Sequence, residues 1–384
     1  MNNDNFNNKI VQQSTNLKMM DRYIASLVLF TLGDTIGYRN GDYESLYNRK
    51  TTTLNVIHEL LYDFIDMGGI NGINLEGWKV TVNSFLNLAT ASALTEYKKK
   101  NIDLYDEIKS EYKGVVSHII MDFKEHNIKR SIYNGLYQKL KKLSKDDFDE
   151  RNEPYDETTW DNSCAIRTIS IGLAFFKEND REELIKISIE SSKITNNSPM
   201  GYLAGLTSSL FASFAINNIY INKWPFLLMD ILGSDQVKSY INEENENDYD
   251  KYILNWKKYI DLKFKGDTII KLKSRKNIMF RSKFYFDNFT DENTHVIGLS
   301  GYAAMIMAYD CLLDSTGNWE KLIIYSALHF GDTFSVAAIC GSLYGAYYGW
   351  GDVPSNNLKF LEFREYSFEY GKELYKLFYK ETTN

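Results

Sequence analysis

Proline is scarce, with four in 384 residues, about 1% against a usual value of about 5%. Long helices can therefore run without ring clashes or missing amide donors, and an α-rich chain is expected. Cysteine is scarce too. Cys164, Cys311 and Cys340 are odd in number, far apart and free of any C-x-x-C spacing. That excludes a disulfide framework and a cysteine zinc site, and leads to the expectation of a reducing, cytoplasmic setting. There is no basic surplus: 44 basic residues against 51 acidic ones leave a formal charge of −7, so nucleic acid is not an expected partner. Alternating apolar and polar runs bounded by turn signals are missing, which argues against a substantial sheet. No Gly/Ser/Pro-rich linker and no fixed-period repeat divides the chain.

Apolar residues are plentiful, 44% of the total with 15% aromatic. Chains of this length bury roughly three quarters of their unfolded surface, so neither a disulfide nor a metal is needed to hold the fold. The segment Met1 to Asn16 is rich in Asn and Gln and lacks a signal-peptide pattern; residues 1–18 are expected to be a disordered tail, followed by one domain over 19–384. Thr333 to Gly351 carries no charge. Its small residues Ala337, Gly341, Gly345 and Gly349 recur every four positions, so it is read as a buried central helix closely approached by a neighbour, and no membrane span is expected.

Residues 54–67 place Leu54, Ile57, Leu61, Phe64 and Ile65 at helical spacing and stop at Gly68-Gly69. Residues 103–123 repeat Leu104, Ile108, Val115, Ile119 and Phe123 in the same way. At Asn197-Ser198-Pro199 a capping residue precedes a proline suited to the first helical position. The acidic stretches Asp146 to Glu157 and Asn242 to Asp250 read as loops or solvated helix faces. Lys263 to Lys283, with eight basic residues and the single acid Asp267, reads as an exposed loop, with a phosphate- or partner-binding patch as the sharper alternative.

Polar residues embedded in apolar helical context are the candidates for chemistry. They fall in Gly33-Asp34-Thr35-Ile36-Gly37-Tyr38, in Trp78-Lys79-Val80-Thr81-Val82-Asn83-Ser84, and in His329-Phe330-Gly331-Asp332-Thr333-Phe334-Ser335. Two of these put oxygen side chains at helix N-termini. Thr81, Asn83 and Asp332 are residue types that cap helices by accepting from orphan amides, so capping and ligand binding both remain open.

With Glu44, Met67-Gly68-Gly69-Ile70, Leu88-Ala89-Thr90-Ala91, Ser188-Ile189-Glu190-Ser191, Pro199-Met200-Gly201-Tyr202-Leu203, Ile306-Met307-Ala308-Tyr309-Asp310 and Val353-Pro354 added, the order and spacing resemble the ADP-ribosylglycohydrolases over roughly residues 20 to 380. The likeness is greatest to the ADP-ribosylarginine hydrolases and their inactive relatives. The resemblance implies an all-α, single-domain orthogonal helical bundle of that type with a central cleft. In active members two magnesium ions there orient ADP-ribose while its bond to a protein side chain is hydrolysed. The ligands come from a Ser/Thr-Asp-Asp-Thr motif and an Asp-x-Asp-Ser-Thr motif, because magnesium takes near-octahedral oxygens and two adjacent dications need several carboxylates.

This chain departs from both motifs. The first reads Thr81-Val82-Asn83-Ser84 and the second Asp332-Thr333-Phe334-Ser335-Val336, so four carboxylates become one. The resemblance assigns metal positions to Thr81, Asn83, Ser84 and Asp332, catalytic positions to Glu44 and Asp332, and ligand-pocket positions to Asn162, Ser163, Asn196 and Tyr302. The pocket is altered as well: Trp160-Asp161-Asn162-Ser163-Cys164 stands where relatives are Gly-rich, and Gly301-Tyr302-Ala303-Ala304-Met305 where they carry Gly-His-Asp-Ala-Pro. A dication facing one acid leaves buried net charge, which is costly. The expectation is a family member without hydrolysis and without a cofactor, acting as a binding or structural protein toward an unidentified protein partner or ADP-ribose. The alternative is a divergent ADP-ribosylarginine hydrolase with at most one magnesium. Val82, Phe334 and Val336 are expected to fill the metal cavity, with Phe334 on Val82. Asp34 is expected to make a helix-end hydrogen bond, His329 to be a core histidine, and Cys164 and Cys340 to be inert.

Overall fold

The computed structural model describes residues 2–43, 54–128, 130–145, 151, 153–266, 268–270, 276–290 and 296–380, with side chains from Lys18 and, in the second segment, from His58. The tail expected over 1–18 and the catalytic candidate Glu44 fall outside the described side chains, Lys18 excepted. So do Asp267 and part of the acidic stretch 146–157.

Among the described residues sixteen α-helices follow one another: α1 (Asn2–Tyr38), α2 (Leu54–Asp66), α3 (Val82–Lys100), α4 (Leu104–His126), α5 (Asn134–Leu143), α6 (Ile169–Ala174), α7 (Arg181–Lys193) and α8 (Pro199–Ile216), then α9 (Trp224–Leu232), α10 (Asp235–Lys238), α11 (Glu246–Lys263), α12 (Ile278–Phe289), α13 (Gly301–Ser315), α14 (Trp319–Ala327), α15 (Thr333–Tyr348) and α16 (Arg364–Leu374). Among the described residues the only strands are the antiparallel pair β1 (Phe264–Lys265) and β2 (Thr268–Ile269). The all-α expectation holds.

The small-residue helix does what its spacing implies. A Cβ on Gly341 would stand 2.0 Å from the Leu29 carbonyl oxygen, and one on Gly345 2.4 Å from the Ala25 carbonyl carbon. The backbones of α15 and α1 touch along that stripe, which fixes the register of α1 and hence the position of Asp34. Every residue of α8 is buried, with Ser198 accepting from the Met200 amide and Pro199 opening the helix, as the sequence indicates. Among the described residues α8 is the one helix long and apolar enough to cross a membrane, and its burial matches a core helix.

Two apolar stripes are shorter than their spacing suggested. Ile65 is 64% exposed and Phe123 58% exposed, because Ile65 sits at the margin of the packed face of α2 and α4 is mostly exposed beyond Val116. Gly68 (φ 89°) takes the left-handed conformation expected beyond α2.

The basic stretch 263–283 requires a correction at both ends. Lys263 and Arg281 are buried rather than exposed. The Lys263 Nζ lies 2.6 Å from Asp310 and 2.7 Å from Asp314, and Arg281 pairs with both acids. The charges belong to a closed cluster that joins α11, α12 and α13.

Candidate functional site

The starts of α3 and α15 converge on the end of α1. Asp34, wholly buried, accepts from the Thr81 amide (2.9 Å), the Thr81 hydroxyl (2.7 Å) and the Ser84 hydroxyl (2.6 Å). Thr81 in turn caps α3 by accepting from the Asn83 amide at 3.1 Å. The Asn83 side-chain amide donates to the Ser335 hydroxyl at 3.0 Å. Asp332 caps α15, its Oδ1 accepting from the Ser335 amide at 3.1 Å. A continuous hydrogen-bonded path thus runs Ser84–Asp34–Thr81–Asn83–Ser335–Asp332. Thr81 and Asp332 are caps; Asn83 is not, since its side chain points across to α15.

A second part joins through a pairing that residue spacing could not show. Asp161 bridges antiparallel to Ser300, with the Asn162 amide donating to Leu299 O at 2.9 Å and the Gly301 amide to Trp160 O at 3.0 Å. That pairing sets the Asn162 side chain 2.7 Å from Asp332 Oδ2 and 2.7 Å from the Gly298 carbonyl. The Ser163 hydroxyl donates to Asn196 Oδ1 (3.0 Å), and Asn196 Nδ2 donates to Asp161 (3.0 Å) and to Thr159 O (3.1 Å). Arg167 underpins this turn by donating to the Ser163 carbonyl (2.8 Å) and the Thr195 hydroxyl (2.6 Å). Tyr302 is buried in the first turn of α13. Ser335, Asp161 and Arg167 were not among the expected site residues, although Ser335 lies inside the second motif and Asp161 directly precedes Asn162.

Among the described residues, hydroxyls and backbone amides surround the Asp34 carboxylate. Burial raises the Asp34 carboxyl, and the hydrogen bonds from Ser84 and Thr81 pull it only part of the way back, to about 6. Burial lowers His329 to about 3, and its Nδ1 accepts from the Gly331 amide at 3.1 Å. It is a neutral core histidine. Burial likewise pushes the Cys164 thiol up to about 11, so it is unreactive at neutral pH.

Val82 and Val336 are fully buried. Phe334 lies at the margin of the core, its ring edge-on to Tyr38 with centroids 6.0 Å apart. Among the described residues no three His, Cys, Asp or Glu side chains are grouped as metal ligands.

Comparison with known proteins identifies the family. The ADP-ribosyl glycohydrolase L444 of Acanthamoeba polyphaga mimivirus is 31% identical over 355 residues, covering 90% of this chain and 67% of that protein. The ADP-ribosylhydrolase ARH1 of Dictyostelium discoideum is 29% identical over 388 residues, covering 93% and 94%. A solved ADP-ribosylglycohydrolase-related protein complex shares the fold, with a TM-score of 0.54 at 15% identity over 94% of this chain and 99% of that one. The ADP-ribosylglycohydrolase family description matches residues 15–384, and the chain belongs to that family.

Proposed function

We propose that this chain is a family member that does not hydrolyse ADP-ribosyl bonds and instead serves as a binding or structural protein, with a protein partner or ADP-ribose as its ligand. The observation that carries this reading is the state of the oxygens at the family's metal positions. Thr81 and Ser84 are committed to Asp34. Asn83 presents its amide nitrogen to Ser335. Asp332 already accepts from Asn162 and from its own helix. Magnesium takes six near-octahedral oxygens, usually with one or two carboxylates among them, and a donor set of one carboxylate with neutral, engaged partners does not fit a pair of such ions. Val82 and Phe334, which stand where relatives carry carboxylates, offer no donor atom at all. The pocket positions support the same reading, since Asn162, Ser163 and Asn196 are buried, with Asn162 bonded to Asp332 and Ser163 to Asn196.

A second reading, a divergent ADP-ribosylarginine hydrolase working with one magnesium at Asp332, draws on the retention of that residue and on the names of the two relatives. Release of ADP-ribose from ADP-ribosylarginine in millimolar magnesium separates the readings. No turnover above background supports the first. Turnover abolished by Asp332→Ala establishes the second. A rise in melting temperature with ADP-ribose in the absence of turnover assigns a ligand-binding role, because a ligand of the native state stabilises it by mass action.

A further inference from the structure

One face of α3 carries Phe85, Leu88, Ala89 and Ser92 at helical spacing. These side chains form the floor of a groove of about 580 Å³, within the ~300–1,000 Å³ range of small-molecule sites. One wall is the exposed second half of α4, with Gly114 and Met121; the other is the start of α16, with Phe363, Tyr366 and Tyr370.

The groove is a built feature. At one end Arg130 donates to Glu362 (2.6 and 3.0 Å), to Asp122 (2.8 Å) and to the Val80 carbonyl (3.0 Å). Its guanidinium stands 5.2 Å from the centre of the Phe85 ring. Phe363 has a left-handed backbone (φ 59°), a conformation costly for a non-glycine residue and one that clusters at functional sites. It sets the ring edge-on to Phe85 at 4.9 Å. Tyr366, 63% exposed, continues the aromatic rim.

The charges of the lining select the ligand. Three carboxylates, Glu111, Asp122 and Glu362, share the lining with one guanidinium, Arg130, and two imidazoles, His118 and His126. Asp122 and Glu362 are paired with it. Among the described residues Glu111 has no ion pair; it is partly buried and accepts a hydrogen bond from Ser92 at 2.8 Å. Burial raises its proton affinity, the Ser92 hydrogen bond and His118 opposing while Glu107 and Glu96 add to the rise, and an arriving cation would offset the repulsion between these carboxylates.

We propose that this groove binds a small organic cation with an aromatic or apolar body, the body lying against Phe85, Phe363 and Tyr366 and the nitrogen meeting Glu111. None of its residues belongs to the path through Asp34 and Asp332, so the proposal stands or falls separately from the reading of that site.

The test is a calorimetric titration of the full chain with phenethylamine and tryptamine, compared with 2-phenylethanol and phenylacetate. Saturable binding of the amines is expected, with the alcohol at least ~10-fold weaker, the equivalent of about 1.4 kcal/mol, and no binding of the carboxylate. Glu111→Gln should bring amine affinity down to that of the alcohol. An ideal Cβ at Gly114 meets nothing within 4 Å, so Gly114→Leu should fill the groove and abolish amine binding while leaving the melting temperature unchanged or higher. Amines that do not saturate, phenylacetate binding as well as the amines, or amine affinity unmoved by either substitution would each overturn the proposal.

Discussion

At Asp310 a buried carboxylate meets two cations, whereas at Asp34 an equally buried carboxylate meets, among the described residues, the hydroxyls and backbone amides of Thr81 and Ser84. Burial raises both acids. At Asp310, Lys263 and Arg281 outweigh burial and hold the carboxyl well below its usual range, with Tyr259 and Tyr285 each donating at 2.7 Å. At Asp34 nothing positive offsets burial and the value ends near 6. The two centres are similarly polar and similarly enclosed, yet only one is neutralised by charge. The first ties α11, α12 and α13 together. The second links the ends of three helices, α1, α3 and α15.

The largest expected effect is on the ion cluster. Asp310→Ala leaves two buried cations sharing one acid, and urea denaturation should show a loss of roughly 3–5 kcal/mol, as for other broken buried pairs. A loss below about 1 kcal/mol would mean that the cluster is not holding these helices.

The pH dependences should run in opposite directions. Asp34 is raised in the folded protein, so its contribution to stability is fully present below the unfolded value near 4 and is lost as pH rises through about 6. Compared with Asp34→Asn, the wild-type protein should gain up to about 3 kcal/mol as pH falls from 7 to 4, at about 1.4 kcal/mol for each tenfold change in proton affinity. Asp310 is lowered, so its contribution is present above the usual carboxylate range and is lost as pH falls below it. Denaturation curves of Asp34→Asn and wild type that stay parallel from pH 4 to 7 would erase the distinction between the centres.

At neutral pH, Asp34→Ala strands the Thr81 amide and two hydroxyls, and should cost about 2–3 kcal/mol by denaturant unfolding; Asp34→Asn keeps an acceptor and should cost less. Smallest is Asn162→Ala, which removes the donor shared by Asp332 and Gly298. A loss of about 1 kcal/mol is expected in the same measurement.

Helix content and the close-packed stripe of α15 were legible because their signals are local: low proline, period-four small residues, and the Ser198-Pro199 start. The capping of α3 by Thr81 and of α15 by Asp332 was legible as a residue type but not as a choice between cap and ligand. The structure shows Thr81 accepting from the Asn83 amide and Asp332 from the Ser335 amide. The ion cluster was misread because a run of basic residues carries no information about acids elsewhere in the chain; 51 positions separate Lys263 from Asp314. The pairing of Asp161 with Ser300 was invisible for the same reason. A single bridge leaves no alternation for a sequence pattern to reveal, yet it delivers Asn162 to Asp332. The resemblance named positions in both motifs, and the structure shows the hydrogen bonds that those residues make.

The most direct test of the central claim is a calorimetric titration of the purified full chain with magnesium, alone and with ADP-ribose present. If the oxygens at Thr81, Asn83, Ser84 and Asp332 serve only one another, magnesium should give no saturable heat at millimolar concentration under either condition. Saturable binding of two magnesium ions per chain, strengthened by ADP-ribose, would contradict the account.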